Sequence, residues 1–143
     1  MSLYCFHALF LGMEENDISY KIRGAIFAVY NHFGPGLLET IYEKALALEL
    51  EEQGLKVQTQ VILPIIYRGV KLEGNYRLDI LVEDKVIVEV KSVDELHDVH
   101  KKQLLSYLRL SQLKLGILVN FNTHELVSKK SIIRIINTRE PNH

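Results

Sequence analysis

The stretch Tyr76–Lys91, YRLDILVEDKVIVEVK, decides how the rest of the chain is read. Leu, Ile and Val on either side of Glu83-Asp84-Lys85 predict two short strands, Tyr76–Val82 and Val86–Ser92, joined by a turn. Each strand carries an acid among apolar neighbours: Asp79 in the first, Glu89 in the second, with Lys91 two residues further on. A three-residue loop sets Val82 opposite Val86, Leu81 opposite Ile87, Ile80 opposite Val88 and Asp79 opposite Glu89. Opposed residues of an antiparallel pair share a face, with Cβ atoms about 4.5–5.5 Å apart. The period of two along a strand puts Lys91 on that same face. A two-residue loop would send Asp79 and Glu89 to opposite faces. Two carboxylates held this way repel, and burial raises the cost. A shared proton, a neighbouring cation or a bound metal must offset it. The ordinary alternative is a solvated Glu89–Lys91 pair with Asp79 near a strand end. The nearly unbroken apolar flanks argue instead for a central strand.

At 143 residues the chain suits one domain. Its net charge of −1 excludes a global basic field drawing it onto nucleic acid. The charge is uneven, however. Residues 1–96 hold nine Lys/Arg and fifteen Asp/Glu, whereas residues 97–143 hold eight and three. Solvated surface accounts for this, and so does a basic rim beside an acidic centre where a polyanion sits. Cys5 is the single cysteine, which excludes an internal disulfide framework or a Cys-based metal site. It fits a reducing compartment, and a cytoplasmic location is expected. The six histidines form no HExxH pattern; His97 and His100 can share a helix face but lack clear metal-binding partners. Residues 1–13, MSLYCFHALFLGM, are apolar without Lys or Arg. They match neither a signal peptide nor a membrane span. They read as an over-long start before Met13, or as an extension packing on the domain or on a second copy.

Outward from the central hairpin, the predicted elements alternate in kind. A helix over 17–33, capped by Asp17, carries Ile18, Ile22, Ala25, Ile26, Val29 and Phe33 at helical spacing. Gly34-Pro35-Gly36 breaks it, and a second helix over 36–53 follows with Leu38, Ile41, Ala45 and Leu48 as its buried stripe. Residues 56–72 read as a strand, a bend and another short strand, with a turn at Arg68-Gly69 and an edge position for Pro64. A third helix over 95–110 packs Leu96, Leu104, Leu105 and Leu108 inward, with Gln103 and Tyr107 on one face. Lys114–Phe121 reads as a buried strand. Joined to Val86–Lys91 through a helix, it makes a crossover that forces the two strands parallel. Ile132–Ile136 is a last strand, and the tail from Asn137 is expected to fray.

With Asp79, Glu89 and Lys91 on one face beneath packed helices, the carboxylates and the intervening carbonyl of Val90 offer hard oxygen ligands. Such ligands suit Mg²⁺ or Mn²⁺, which also bind substrate phosphate. A metal there would polarise a phosphoryl oxygen and acidify a bound water. Lys91 would orient or deprotonate that water or stabilise the pentavalent oxyanion, and Glu39 would add a third carboxylate. A lone Glu39 is otherwise an acid favoured at a helix N-terminus. Glycoside hydrolysis also uses paired carboxylates, but the Lys two residues from Glu89 and the absence of Trp argue against it.

Asp79, a spacer of nine and Glu89-Val90-Lys91 resemble the PD-(D/E)XK nuclease superfamily. Gly36-Leu-Leu-Glu39-Thr-Ile-Tyr42 after Gly34-Pro35, with Gln103-Leu-Leu-Ser-Tyr107 downstream, resembles its GxxExxY branch of small prokaryotic proteins. The likeness covers about residues 14–137, leaving 1–13 as an extension and 138–143 as a tail. It implies a restriction-endonuclease-like α/β fold, a mixed central sheet flanked by helices in an αβββαβ core. It implies Asp79 and Glu89 as metal ligands, Lys91 as the catalytic lysine, Glu39 as the helical acid, and Gln103 and Tyr107 lining the site. One departure is Leu78 where the family pattern has Pro. The expectation is a Mg²⁺- or Mn²⁺-dependent nuclease acting on DNA, with a non-catalytic nucleic-acid- or protein-binding module on the same fold as the alternative. A homodimer assembled through the apolar start is a further expectation, and no membrane association is expected.

Overall fold

The computed structural model describes residues 13–139; the expectations for residues 1–12 and 140–143 lie outside them. The chain runs α1 (Glu15–Phe33), α2 (Glu39–Glu52), β1 (Val57–Tyr67), β2 (Val70–Val82), β3 (Val86–Lys91), α3 (Asp98–Ser111), β4 (Leu115–Asn120) and β5 (Ile132–Ile136). The strands form one sheet in the order β1-β2-β3-β4-β5. β3 and β4 are parallel through the α3 crossover, and every other neighbouring pair is antiparallel. This is the mixed sheet with flanking helices expected of a restriction-endonuclease-like α/β fold.

The parallel pair is covered on both faces, which is why Val86–Val90 and Leu115–Asn120 are buried throughout and read as continuous apolar runs. On one face, α1 and α2 pack Ile22, Ile26, Leu46 and Leu50 against Ile80, Val88, Val90 and Ile117. On the other, α3 packs Leu104, Tyr107 and Leu108 against Leu63, Leu78, Ile87 and Leu118. Each such aliphatic side chain contributes roughly 1.5–3 kcal/mol on leaving water. Close approach of α3 to the sheet depends on Gly116, where a Cβ would lie 2.8 Å from the buried Leu104 side chain. Among the described residues no helix is long and apolar enough to cross a membrane.

Several expectations are corrected. α1 begins at Glu15 with Glu14 at its N-cap and no side-chain capping bond, so Asp17 lies in the first turn, where its charge favours the helix dipole. α2 begins at Glu39 rather than residue 36 because Gly34 (φ 66°) and Gly36 (φ 103°) hold the preceding loop out of helical geometry. Its buried stripe is Tyr42, Glu43, Leu46, Ala47 and Leu50. Leu38, Ile41 and Leu48 face solvent, and Ala45 is half-buried. α3 starts at Asp98, and Leu105 is half-buried on its flank. The short strand near residue 70 and Tyr76–Val82 are one continuous strand, β2, because Gly74 (φ 95°) lets the chain pass without a break. The tail does not fray at Asn137: its N–H donates to the Lys114 carbonyl at 2.8 Å and its amide to Leu113 at 3.1 Å.

Candidate active site

The β2–β3 turn carries the expected three residues. Val82 pairs with Val86, Leu81 with Ile87 and Ile80 with Val88. Glu83 (φ 54°) and Asp84 (φ 55°) both adopt left-handed backbone, and the Lys85 N–H closes on the Val82 carbonyl at 3.0 Å. Lys56 clamps the turn: its N–H donates to Glu83 Oε2 at 2.7 Å and its Nζ to Asp84 Oδ2 at 2.8 Å.

The ladder stops one residue short of the acids. At the next row, the Asp79 N–H donates to Glu89 Oε1 at 3.2 Å, and the Val90 N–H donates to Asp79 Oδ2 at 2.8 Å. Each carboxylate therefore reaches across to the opposite strand's backbone where a carbonyl would ordinarily accept. In a strand the N–H and C=O of one residue point to the same side, so the Val90 carbonyl is directed into the same opening. The row is broken on the β1 side as well. Pairing runs from Thr59–Ile80 to Val61–Leu78 and omits Gln60 and Asp79, and Gln60 has φ 53°. A non-glycine residue held there costs about 1–2 kcal/mol.

Glu89 is only 5% exposed. Burial above all, and then the Asp79 charge and a hydrogen bond with the Asp79 carboxyl, push its carboxyl up to about 9. Glu89 thus keeps its proton at neutral pH beside Asp79. Lys91, half-buried and on the face of Glu89, lowers the Glu89 value, but among the described residues its ammonium makes no ion pair.

Glu39 arrives from the other layer. Asp79 and Glu89 alternate toward α3, whereas α2 packs on the opposite face through Val88 and Val90. The shared helix-covered face expected from the sequence therefore holds for Gln103 and Tyr107 and not for Glu39. Glu39 Oε1 accepts the Ser92 N–H at 3.1 Å, just past the end of β3, and Ser92 Oγ donates to the Leu37 carbonyl at 2.7 Å. The helix start is thereby stapled to the strand end. Tyr42 makes this possible from within: its ring stacks on Phe121 at 4.4 Å, and its hydroxyl donates to the Gly34 carbonyl and accepts the Leu37 N–H at 3.1 Å. The Gly-Pro-Gly break and the spacing Gly36, Glu39, Tyr42 are one device that fixes the Glu39 carboxylate.

From α3, Tyr107 faces Glu89 and Asp79, is hydrogen-bonded to Gln103 and lies 5.2 Å from the Tyr76 ring. Burial and the neighbouring acids push its hydroxyl up to about 12, so it remains a proton donor. His97 and His100 form a helix cap, with the His97 N–H donating to His100 Nδ1 at 3.0 Å. Burial and the Lys91 charge hold His100 below the ordinary histidine range, which places its ring near Lys91.

Sequence reasoning missed Glu43 and Gln60, and it set His100 aside for want of metal-binding partners. Glu43 is 9% exposed, accepts from Gln60 Nε2 at 2.8 Å and lies close enough to Asp79 and Glu39 for their charges to raise its carboxyl, although burial does so most. The available signal was its position one turn beyond Glu39. Among the described residues no three His, Cys, Asp or Glu side chains close into a ready metal cage.

No curated protein and no solved structure matches the chain. A family model described as the PD-(D/E)XK nuclease superfamily matches residues 16–135. That span takes in every element from α1 to β5, including both strands of the broken row, and on that match the chain belongs to the PD-(D/E)XK nuclease superfamily.

Proposed function

We propose that the protein is a metal-dependent nuclease hydrolysing phosphodiester bonds in DNA, and that it belongs to the GxxExxY branch through Gly36, Glu39 and Tyr42. The observation that carries this is the broken row. Asp79 and Glu89 are held side by side on opposed strands, with Lys91 following on the same face.

The donor set fits Mg²⁺ or Mn²⁺, since one or two carboxylates plus waters suffice for such ions. Asp79, Glu89 and the carbonyl of Val90 would hold the ion, with Glu39 as a further carboxylate from the strand end. When bound, it supplies Lewis acidity toward a phosphoryl oxygen and acidifies a water. Lys91 would place a cation where charge develops on the phosphorane and orient the attacking water. Tyr107, protonated at neutral pH, donates toward the acids or the substrate, and Gln103 orients it.

Incubation with duplex and single-stranded DNA and RNA in Mg²⁺ or Mn²⁺ tests this. Cleavage is expected, with Lys91→Ala slower by about 10²–10³-fold, as for loss of one charge-stabilising group. Equal cutting by Lys91→Ala, or no cutting of any form, overturns it. Among the described residues no three His, Cys, Asp or Glu side chains form a cage, which favours a second reading, a non-catalytic binding module. Calorimetric titration with Mn²⁺ separates the two, because a signal lost in Glu89→Gln excludes the module. The homodimer expected from the apolar start is tested by light scattering of the full chain against a form starting at Met13.

A further inference from the structure

β1 and β2 continue well past the sheet. Between Leu63 and Leu78 no side chain is buried, and the two strands close in a turn at Arg68 (φ 51°) and Gly69 (φ 75°). Beyond the Leu63–Tyr76 pair this leaves a two-stranded ribbon, Pro64–Tyr67 on β1 and Val70–Asn75 on β2, roughly 13–20 Å long. Such a ribbon gains nothing from exposing Ile66 (61%), Tyr67 (60%) and Val70 (60%) unless a partner covers them.

We infer that this ribbon is the arm by which the protein grips duplex DNA, lying along the major groove while the Asp79–Glu89 row faces the backbone; the inference rests on the nuclease reading above. Three features identify the partner. The first is charge: Arg68 and Lys71 stand against Glu73 alone on the ribbon, with Arg77 next to its base, in a half of the chain otherwise dominated by acids. The Arg68 guanidinium lies over the Tyr67 ring at 5.4 Å, which holds it at the tip. The second is continuity. Tyr76 at the ribbon's base lies 5.2 Å from Tyr107, which faces Glu89 and Asp79, and Asp79 follows three residues later on the same strand. A polymer crossing the acids runs onto the ribbon. The third is shape. A two-stranded ribbon fits the roughly 12 Å major groove of B-form DNA, where apolar side chains can meet thymine methyls. The deep, narrow major groove of an RNA duplex does not admit it.

The test uses the full chain carrying Lys91→Ala, so that cutting is slowed. Binding to a labelled 20-base-pair DNA duplex, the matching RNA duplex and the single strand is followed by fluorescence anisotropy across a salt series. Arg68→Ala/Lys71→Ala is expected to weaken DNA-duplex binding about tenfold and to reduce the log–log salt slope by about 2, one for each cation removed. Both positions are exposed, and an unchanged melting temperature confirms the fold. Equal binding of the RNA duplex, or a double variant that binds as the parent does, overturns the inference. So does a dimer seen by light scattering that Ile66→Lys disperses while DNA binding is unchanged, since the ribbon then pairs with a second copy. The same double substitution in the wild-type background separates the two claims. Cleavage that ignores the ribbon leaves the nuclease standing and removes the arm. Ribbon-dependent binding without any cleavage does the reverse.

Discussion

Glu89 holds its proton in the fold to about pH 9, whereas an unfolded glutamate releases it near 4.5. Between those values the unfolded chain binds fewer protons than the folded one, so stability falls as pH rises, by at most about 1.4 kcal/mol per pH unit. The stabilisation is complete below about pH 4.5 and is lost as pH climbs through about 9. Glu89→Gln keeps the acceptor for the Asp79 N–H and cannot ionise. Urea unfolding in chelator at pH 5, 7 and 9 is therefore expected to show a falling wild-type stability and a flatter variant, with the variant overtaking at the alkaline end. Parallel curves would contradict the proton held by Glu89. The acid pair was legible in the sequence because only two facts govern it, the strand period of two and the length of the turn. Gln60 and Glu43 were not. Their meeting depends on one left-handed backbone angle in β1 and on the rotation of α2, and neither leaves a mark in local composition.

The rotation of α2 shows why one element misled. Leu38, Ile41, Ala45 and Leu48 form a good apolar stripe by spacing, yet the helix buries Tyr42, Leu46 and Leu50. Tyr42 decides this, because its stack on the distant Phe121 and its hydroxyl bonds to the neighbouring Gly34–Leu37 loop fix the helix by contacts that no periodicity encodes. α3, in contrast, was placed well because the crossover between two parallel strands leaves it one face to cover. Its height above the sheet rests on Gly116. A methyl added there meets Leu104 Cδ1 at 2.8 Å and Cγ at 2.9 Å, and Leu104 is fully buried. Gly116→Ala is expected to cost about 1–3 kcal/mol through overpacking. Denaturant unfolding of the single variants and of Gly116→Ala/Leu104→Ala checks the cause. Truncating Leu104 removes the clash, so the double variant should lose less than the sum of the two singles. Strict additivity would place the strain elsewhere.

At the scale of the molecule, the candidate site belongs to no single element. β2 and β3 contribute the acids where their ladder parts, α2 sends Glu39 around the strand end from one layer, and α3 brings Tyr107 from the other. The proposed ligand set therefore comes together only when both layers are assembled on the sheet, and a cation that uses it must bind the folded state in preference to the unfolded chain. At a Mn²⁺ concentration ten times the dissociation constant, this linkage stabilises the fold by about 1.4 kcal/mol. In a chain of this size that raises the melting temperature by about 3–6 °C. The proton that Glu89 keeps competes for the same oxygens, so the rise should be larger at pH 8 than at pH 6. Thermal melts with Mn²⁺ and with chelator at both pH values, for the wild type, Asp79→Asn and Glu89→Gln, measure all of this together. The rise should vanish in both variants, while their melting in chelator stays cooperative. A rise of equal size in all three proteins would mean that the ion binds away from the broken row, and Asp79 and Glu89 would then serve the fold alone.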